Sequence, residues 1–156
     1  MSLGLTLLFL HITTMIGAVA FSYGPGTVLF LTVRTRQYAV ARALILATAP
    51  IERLLPAFYV VGGLFGLATA INFGFNLLAP WLVIAYVLFV VATGTGATVH
   101  ARYHRRLERL FAGAAEGPIS EEVAIALADP RERTAVLMDY VVIVLILFDM
   151  VVKPFS

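Results

Sequence analysis

A chain of 156 residues that is 61% hydrophobic and 13% charged, with a net charge of +2 and no cysteine, lies far from the roughly 45–50% apolar and about 25% charged make-up of soluble domains. Those figures exclude an ordinary water-soluble core, and the missing cysteines exclude disulfide, iron–sulfur and thiolate-metal chemistry. Lipid accommodates such a composition, so the expected fold is all-α: a polytopic membrane protein with a four-transmembrane-helix bundle, one domain over residues 1–156.

The first apolar run extends from Leu3 to Val33, longer than a hydrocarbon core of about 30 Å requires. Gly24-Pro25-Gly26 interrupts it at one bilayer's length, so the first span is expected at about 3–24. Leu3 to Ala20 ends in Ala18-Val19-Ala20 like a cleavable leader, but Met1-Ser2 supplies no basic n-region, and the stretch reads as a retained span. The second run, Ala39 to Phe73, is broken by Pro50, Glu52-Arg53 and Pro56, giving a span at about 52–73. Pro80-Trp81 opens the third, at about 80–101, since Pro suits a first helical turn. A cytoplasmic loop at about 107–129 follows, with a flexible stretch from Ala112 to Gly117 and a short connector helix N-capped by Ser120. Asp129-Pro130-Arg131-Glu132 reads as a capping box that starts the fourth span, at about 130–152.

Of eleven cationic residues, three lie between Arg34 and Arg42 and six between Arg102 and Arg133. These intervals share one face of a four-span chain, and the turn near Asn72 to Asn76 has no cation. The positive-inside rule therefore predicts a plasma-membrane protein with both termini outside the cytoplasm. Arg102, Arg105, Arg106 and Arg109 just beyond the third span are expected to contact anionic headgroups. His100 and His104 share a helix face there as a metal pair, but the neighbouring cations disfavour a dication.

Ionisable residues at membrane depth are the candidate polar site: His11, Glu52, Arg53, Asp139 and Asp149. At about 1.5 Å per residue from the outer ends, Asp149 lies roughly 5 Å deep, His11 roughly 12 Å, Asp139 roughly 20 Å and Arg53 roughly 28 Å. Two pairings follow, His11 with Asp149 and Asp139 with Arg53. The competing readings pair Asp149 with Lys153 one turn away, let Glu52-Arg53 snorkel to the headgroups, and bond His11 to a backbone carbonyl or Thr14. Asp139, two turns inside an apolar helix, needs a partner helix or a proton. Gly62-x-x-x-Gly66 with Gly63, and Ala92-x-x-x-Gly96 with Gly94, are small-residue packing faces. Thr93-Gly94-Thr95-Gly96 has no Lys and is not a phosphate loop.

The pattern His11…Gly17-Ala18…Gly24-Pro25, Ile51-Glu52-Arg53…Pro56, Gly62-Gly63, Pro80-Trp81 and Met150-Val151-Val152-Lys153-Pro154 resembles a bacterial family of small four-span integral membrane proteins of unknown function. That family is more distantly similar to the membrane part of the copper-resistance D proteins. The resemblance spans nearly the whole chain and implies a helical bundle in a bacterial plasma (inner) membrane, without supplying an activity. For copper, this chain offers His11, Met15 and Met150. For haem, it offers His11 and His100, roughly a bilayer apart.

No catalytic set is present. Asp139 and Asp149 are ten residues apart on one helix, about 15 Å, and form no dyad. The expected role is a non-enzymatic accessory or assembly subunit, in a membrane-protein complex or homo-oligomer, with no nucleic-acid partner, no catalytic residues and no metal or cofactor. The alternatives are transport or proton and metal (copper) handling through the bundle, and haem binding.

Overall fold

The structure, a computed structural model, describes residues 2–34, 38–113 and 120–154. Among these the chain is helical, without strands: α1 (Leu3–Arg34), α2 (Tyr38–Asn72), α3 (Pro80–Thr95), a π-helical turn (Gly96–His100), α4 (Ala101–Gly113), α5 (Glu121–Leu127) and α6 (Pro130–Val152). Four helical stretches are long and apolar enough to cross a bilayer. This is a multi-pass membrane protein, and most of its large apolar side chains are exposed to where lipid lies. Arg36 and residues 114–119, which include part of the expected flexible stretch, lie outside the described residues.

Two expected breaks do not occur. α1 runs straight through Gly24-Pro25-Gly26, and α2 keeps Pro50 and Pro56 inside one 35-residue helix. Each proline removes one backbone donor. Ending a helix at or near lipid would orphan up to four groups at each new terminus. Continuing costs less than breaking.

The continuous helices change the shape of the molecule. α6, at 23 residues, is roughly 34 Å long and matches one bilayer, whereas α1, α2 and the rod α3–π–α4 each reach roughly 50 Å. The excess protrudes at the end that carries the basic intervals, here termed the charged end. The tips there fold over a small apolar core of Ala41 and Ile45 from α2, Leu107 and Phe111 from α4, and Val123 and Ala126 from α5. The short helix is therefore more than a connector: its Val123–Ala126 edge closes this core. Ser120 caps it as expected, accepting from Val123 N at 3.4 Å.

α1 and α2 form one close hairpin, and α3 packs chiefly on α6. The glycines of α2 permit the hairpin. A Cβ at Gly66 would come within 2.8 Å of the His11 ring, and one at Gly62 within 2.6 Å of Met15 Sδ. Gly63 instead faces Phe89 of α3. The second small-residue face behaves differently, because a Cβ at Gly94 or Gly96 would meet nothing within 4 Å. At the opposite, apolar end, Phe75 packs edge-on to the buried Trp81 at 5.5 Å. Lys153, which ends α6 with φ 47°, places its ammonium 4.8 Å from the Phe75 ring centre.

Candidate functional site: a histidine bridging two carboxylates

The inward stripe of α6 follows an alternating three- and four-residue spacing: Glu132, Ala135, Asp139, Val142, Ile146, Asp149. This is the seam that a helix turns toward a packed neighbour. Both aspartates lie on it and are buried, Asp139 at 4% exposure and Asp149 at 3%.

Asp139 meets His100, not Arg53. His100 Nε2 lies 2.8 Å from Asp139 Oδ2, and its Nδ1 lies 2.6 Å from Glu132 Oε1. The π turn helps bring this about. Ala101 N bonds to Gly96 O, five residues back, and such an insertion re-aims the side chains that follow it. His100 ends the turn directed at α6, and α4 continues with His104 and Glu108 directed at α2.

The expected capping box is half built for the same reason. Asp129 caps α6 by accepting from Arg131 N at 2.9 Å, with Pro130 in the first turn. Glu132, expected to bond back to the cap, bonds to His100 instead.

Around the triad, the Tyr23 phenol of α1 neighbours Asp139, and its ring lies tilted against that of Tyr140 with centres 4.9 Å apart. Ser22 and Tyr59 share a 2.9 Å hydrogen bond between α1 and α2. The site thus draws on α1, the π turn and α6, with the Tyr59 hydroxyl nearby on α2. Glu132 Oε2 and Asp139 Oδ1 are buried without a hydrogen-bond partner among the described residues.

A second pairing line joins α4 to α2. Glu52 pairs with His104 at 2.9 Å, and Arg53 pairs with Glu108. The Arg53 side chain is 68% exposed and reaches Glu108 of α4, while Glu52 turns inward to His104. His100 and His104 are four apart but serve different carboxylates and do not form a metal pair. Among the described residues no group of three His, Asp or Glu is arranged to hold a metal ion.

The remaining expected pairings dissolve. His11 Nδ1 bonds to the Gly62 carbonyl at 2.7 Å, and Thr14 bonds to the Leu10 carbonyl. Neither oxygen of Asp149 has a partner among the described residues, so neither His11 nor Lys153 answers it. Met15 sits with His11 against the α2 glycines, while Met150 is exposed on α6. His11 and His100 are held by different helices and do not face each other as haem ligands would.

Chemically, the triad is able to hold and pass a proton. Two bonds of this length need two hydrogens on three groups. An imidazolium can donate both, or a neutral imidazole can donate one while a carboxylic acid donates the other. The heavy atoms stay in place in either state, so a proton can pass from Glu132 to Asp139 through the ring. Sequence reasoning found Asp139 but missed Glu132, His100 and Tyr23. The available signal was the α6 seam, which puts residue 132 on the same face as 139. Comparison with protein-family models, with curated proteins and with solved structures returned no match.

Proposed function

We propose that this chain is a non-enzymatic membrane protein that takes up protons at its charged face and relays them to an intramembrane carboxylate. One observation carries the reading: His100 has a carboxylate on each ring nitrogen, inside the bundle. Glu132 lies in the first turn of α6, and Asp139 lies about 13 Å along that helix from Pro130. From Asp139 onward the α6 seam is apolar until Asp149, about 15 Å further on. The relay therefore opens to one side, which suits proton binding coupled to helix movement better than free conduction. With the basic intervals facing the cytoplasm, the open side is the cytoplasmic one and both termini lie outside, in a bacterial plasma membrane.

Infrared difference spectra of the protein in liposomes, taken across a pH step, test this reading. A carboxylic-acid C=O band is expected that Asp139→Asn removes and Asp149→Asn leaves in place. A spectrum unchanged by Asp139→Asn would sink the proposal. Liposomes loaded with a pH dye are expected to leak protons no faster than empty ones, and a fast His100-dependent leak would replace the one-sided relay with a channel.

A second reading, an accessory or assembly subunit, is supported by the open face at Gly94 and Gly96. Beside it runs a shallow groove between α3 and α6, lined by Thr95, Val99, Thr134, Ala135 and Met138. Small residues open to lipid let another helix approach closely. Because the chain has no cysteine, Gly94→Cys would be a unique cross-linking handle. A discrete cross-linked band in native membranes is expected, and monomer alone would count against this reading.

A further inference from the structure

The basic side chains near the end of the third span are not spread evenly. Arg102, Arg105 and Arg109 follow a three- and four-residue spacing along one face of α4, and Arg53 of α2 meets them from across a groove. With Glu108 and Ala112 they line a concavity of about 480 Å³. Arg106 does not line this concavity, although the sequence places it in the same cluster. The geometry points to a binding site here for the phosphate headgroup of an anionic phospholipid.

Position, orientation and surroundings each support this ligand. Counted from Pro80, the hydrocarbon core ends near residue 100, and the headgroup layer adds roughly 5–8 Å. Arg102 falls within that layer, Arg105 at its outer edge and Arg109 beyond it. The guanidinium stems are tied down: Arg105 Nε bonds to Ala101 O at 2.9 Å, and Arg109 Nε bonds to Arg105 O at 3.2 Å. Their Nη groups remain for a phosphate, whose oxygens match the guanidinium fork. Glu108 pairs with Arg53 and holds it against the groove, leaving four guanidinium groups against one carboxylate. Toward the bilayer the next residues on Arg53's side of α2, Pro56, Ala57 and Val60, are apolar and exposed. That is a path for acyl chains, which a soluble polyanion would not need.

Native mass spectrometry of the full chain in a neutral detergent, with equimolar phosphatidylglycerol and phosphatidylcholine, tests the site. The wild type is expected to retain phosphatidylglycerol at least about tenfold over phosphatidylcholine. At roughly fivefold per arginine, R102Q/R105Q/R109Q should weaken that retention about a hundredfold, while R131Q/R133Q should leave it within about twofold. Equal retention of the zwitterionic lipid overturns the proposal, as does full retention by the triple variant. Pyrophosphate that binds the lipid-free protein and displaces phosphatidylglycerol at equal concentration also overturns it, by making the site one for soluble anions. If circular dichroism shows the triple variant unfolded, R53Q alone decides: a drop of about fivefold supports the site, and no drop overturns it.

Discussion

Asp139 and Asp149 stand ten residues apart on the same buried seam of α6, yet the two halves of the bundle treat them differently. At the charged end Asp139 shares His100 with Glu132, and Glu52 and Arg53 are paired to α4 nearby. At the apolar end Asp149 has no partner among the described residues, and the helices are held by close packing: glycines against His11 and Met15, and Phe75 against Trp81. The difference shows that burial on a seam does not by itself provide a counter-group. At the charged end the rod α3–π–α4 overruns the bilayer and can afford a row of polar residues along one side. At the apolar end the chain turns between α2 and α3 without a cation, and among the described residues only Lys153, engaged over aromatic rings, is near.

Removing the shared imidazole should break the contrast most strongly. His100→Ala leaves two carboxylates facing each other in a poorly solvated site, and a loss of about 3–5 kcal/mol is expected. Denaturation in mixed micelles reads it, and a loss below about 1 kcal/mol would mean the triad is not a strong link. Asp149→Leu should do the reverse, raising stability by about 1–3 kcal/mol by replacing an unpartnered buried carboxyl with an apolar side chain. A clear loss in the same assay would reveal a partner for Asp149. Gly66→Ala probes the packing that substitutes for ion pairs at the apolar end. The new methyl must displace the His11 ring from its bond to the Gly62 carbonyl, costing about 1–2 kcal/mol. Gly62→Ala should cost less, since the flexible Met15 thioether can yield, and the reverse order would show that the His11 bond contributes little. Smallest is Arg53→Gln, which severs an exposed pair and should change stability by no more than about 0.5 kcal/mol. A larger loss would extend the strong pairing of the charged end out to its surface.

The caps at Ser120 and Asp129, the start at Pro80 and the four apolar stretches were legible because each depends on neighbours in sequence. The failures share one cause. Pro25, Pro50 and Pro56 looked like breaks because local propensity counts the lost donor and omits what lipid charges for a new helix end. Glu132 looked like a cap and His100 like a boundary residue because their mutual contact crosses 32 positions of chain. Depth along the bilayer axis put Asp139 and Arg53 roughly 8 Å apart, within reach of the long guanidinium stem, but depth carries no information about azimuth. The π turn, which redirects His100, has no mark in the residue pattern beyond two nearby glycines.

Composition and charge spacing alone thus determined that the chain forms apolar helices long enough to cross a membrane, and that its basic residues gather at one end. Hydrophobic transfer and helix capping act residue by residue, and a linear pattern records them. Which side chains meet was decided only in the tertiary structure: His100 with Glu132 and Asp139, His104 with Glu52, Arg53 with Glu108, and His11 with a backbone carbonyl. Those choices depend on how helices rotate and pack against one another, and a single extra residue in one helical turn is enough to change them.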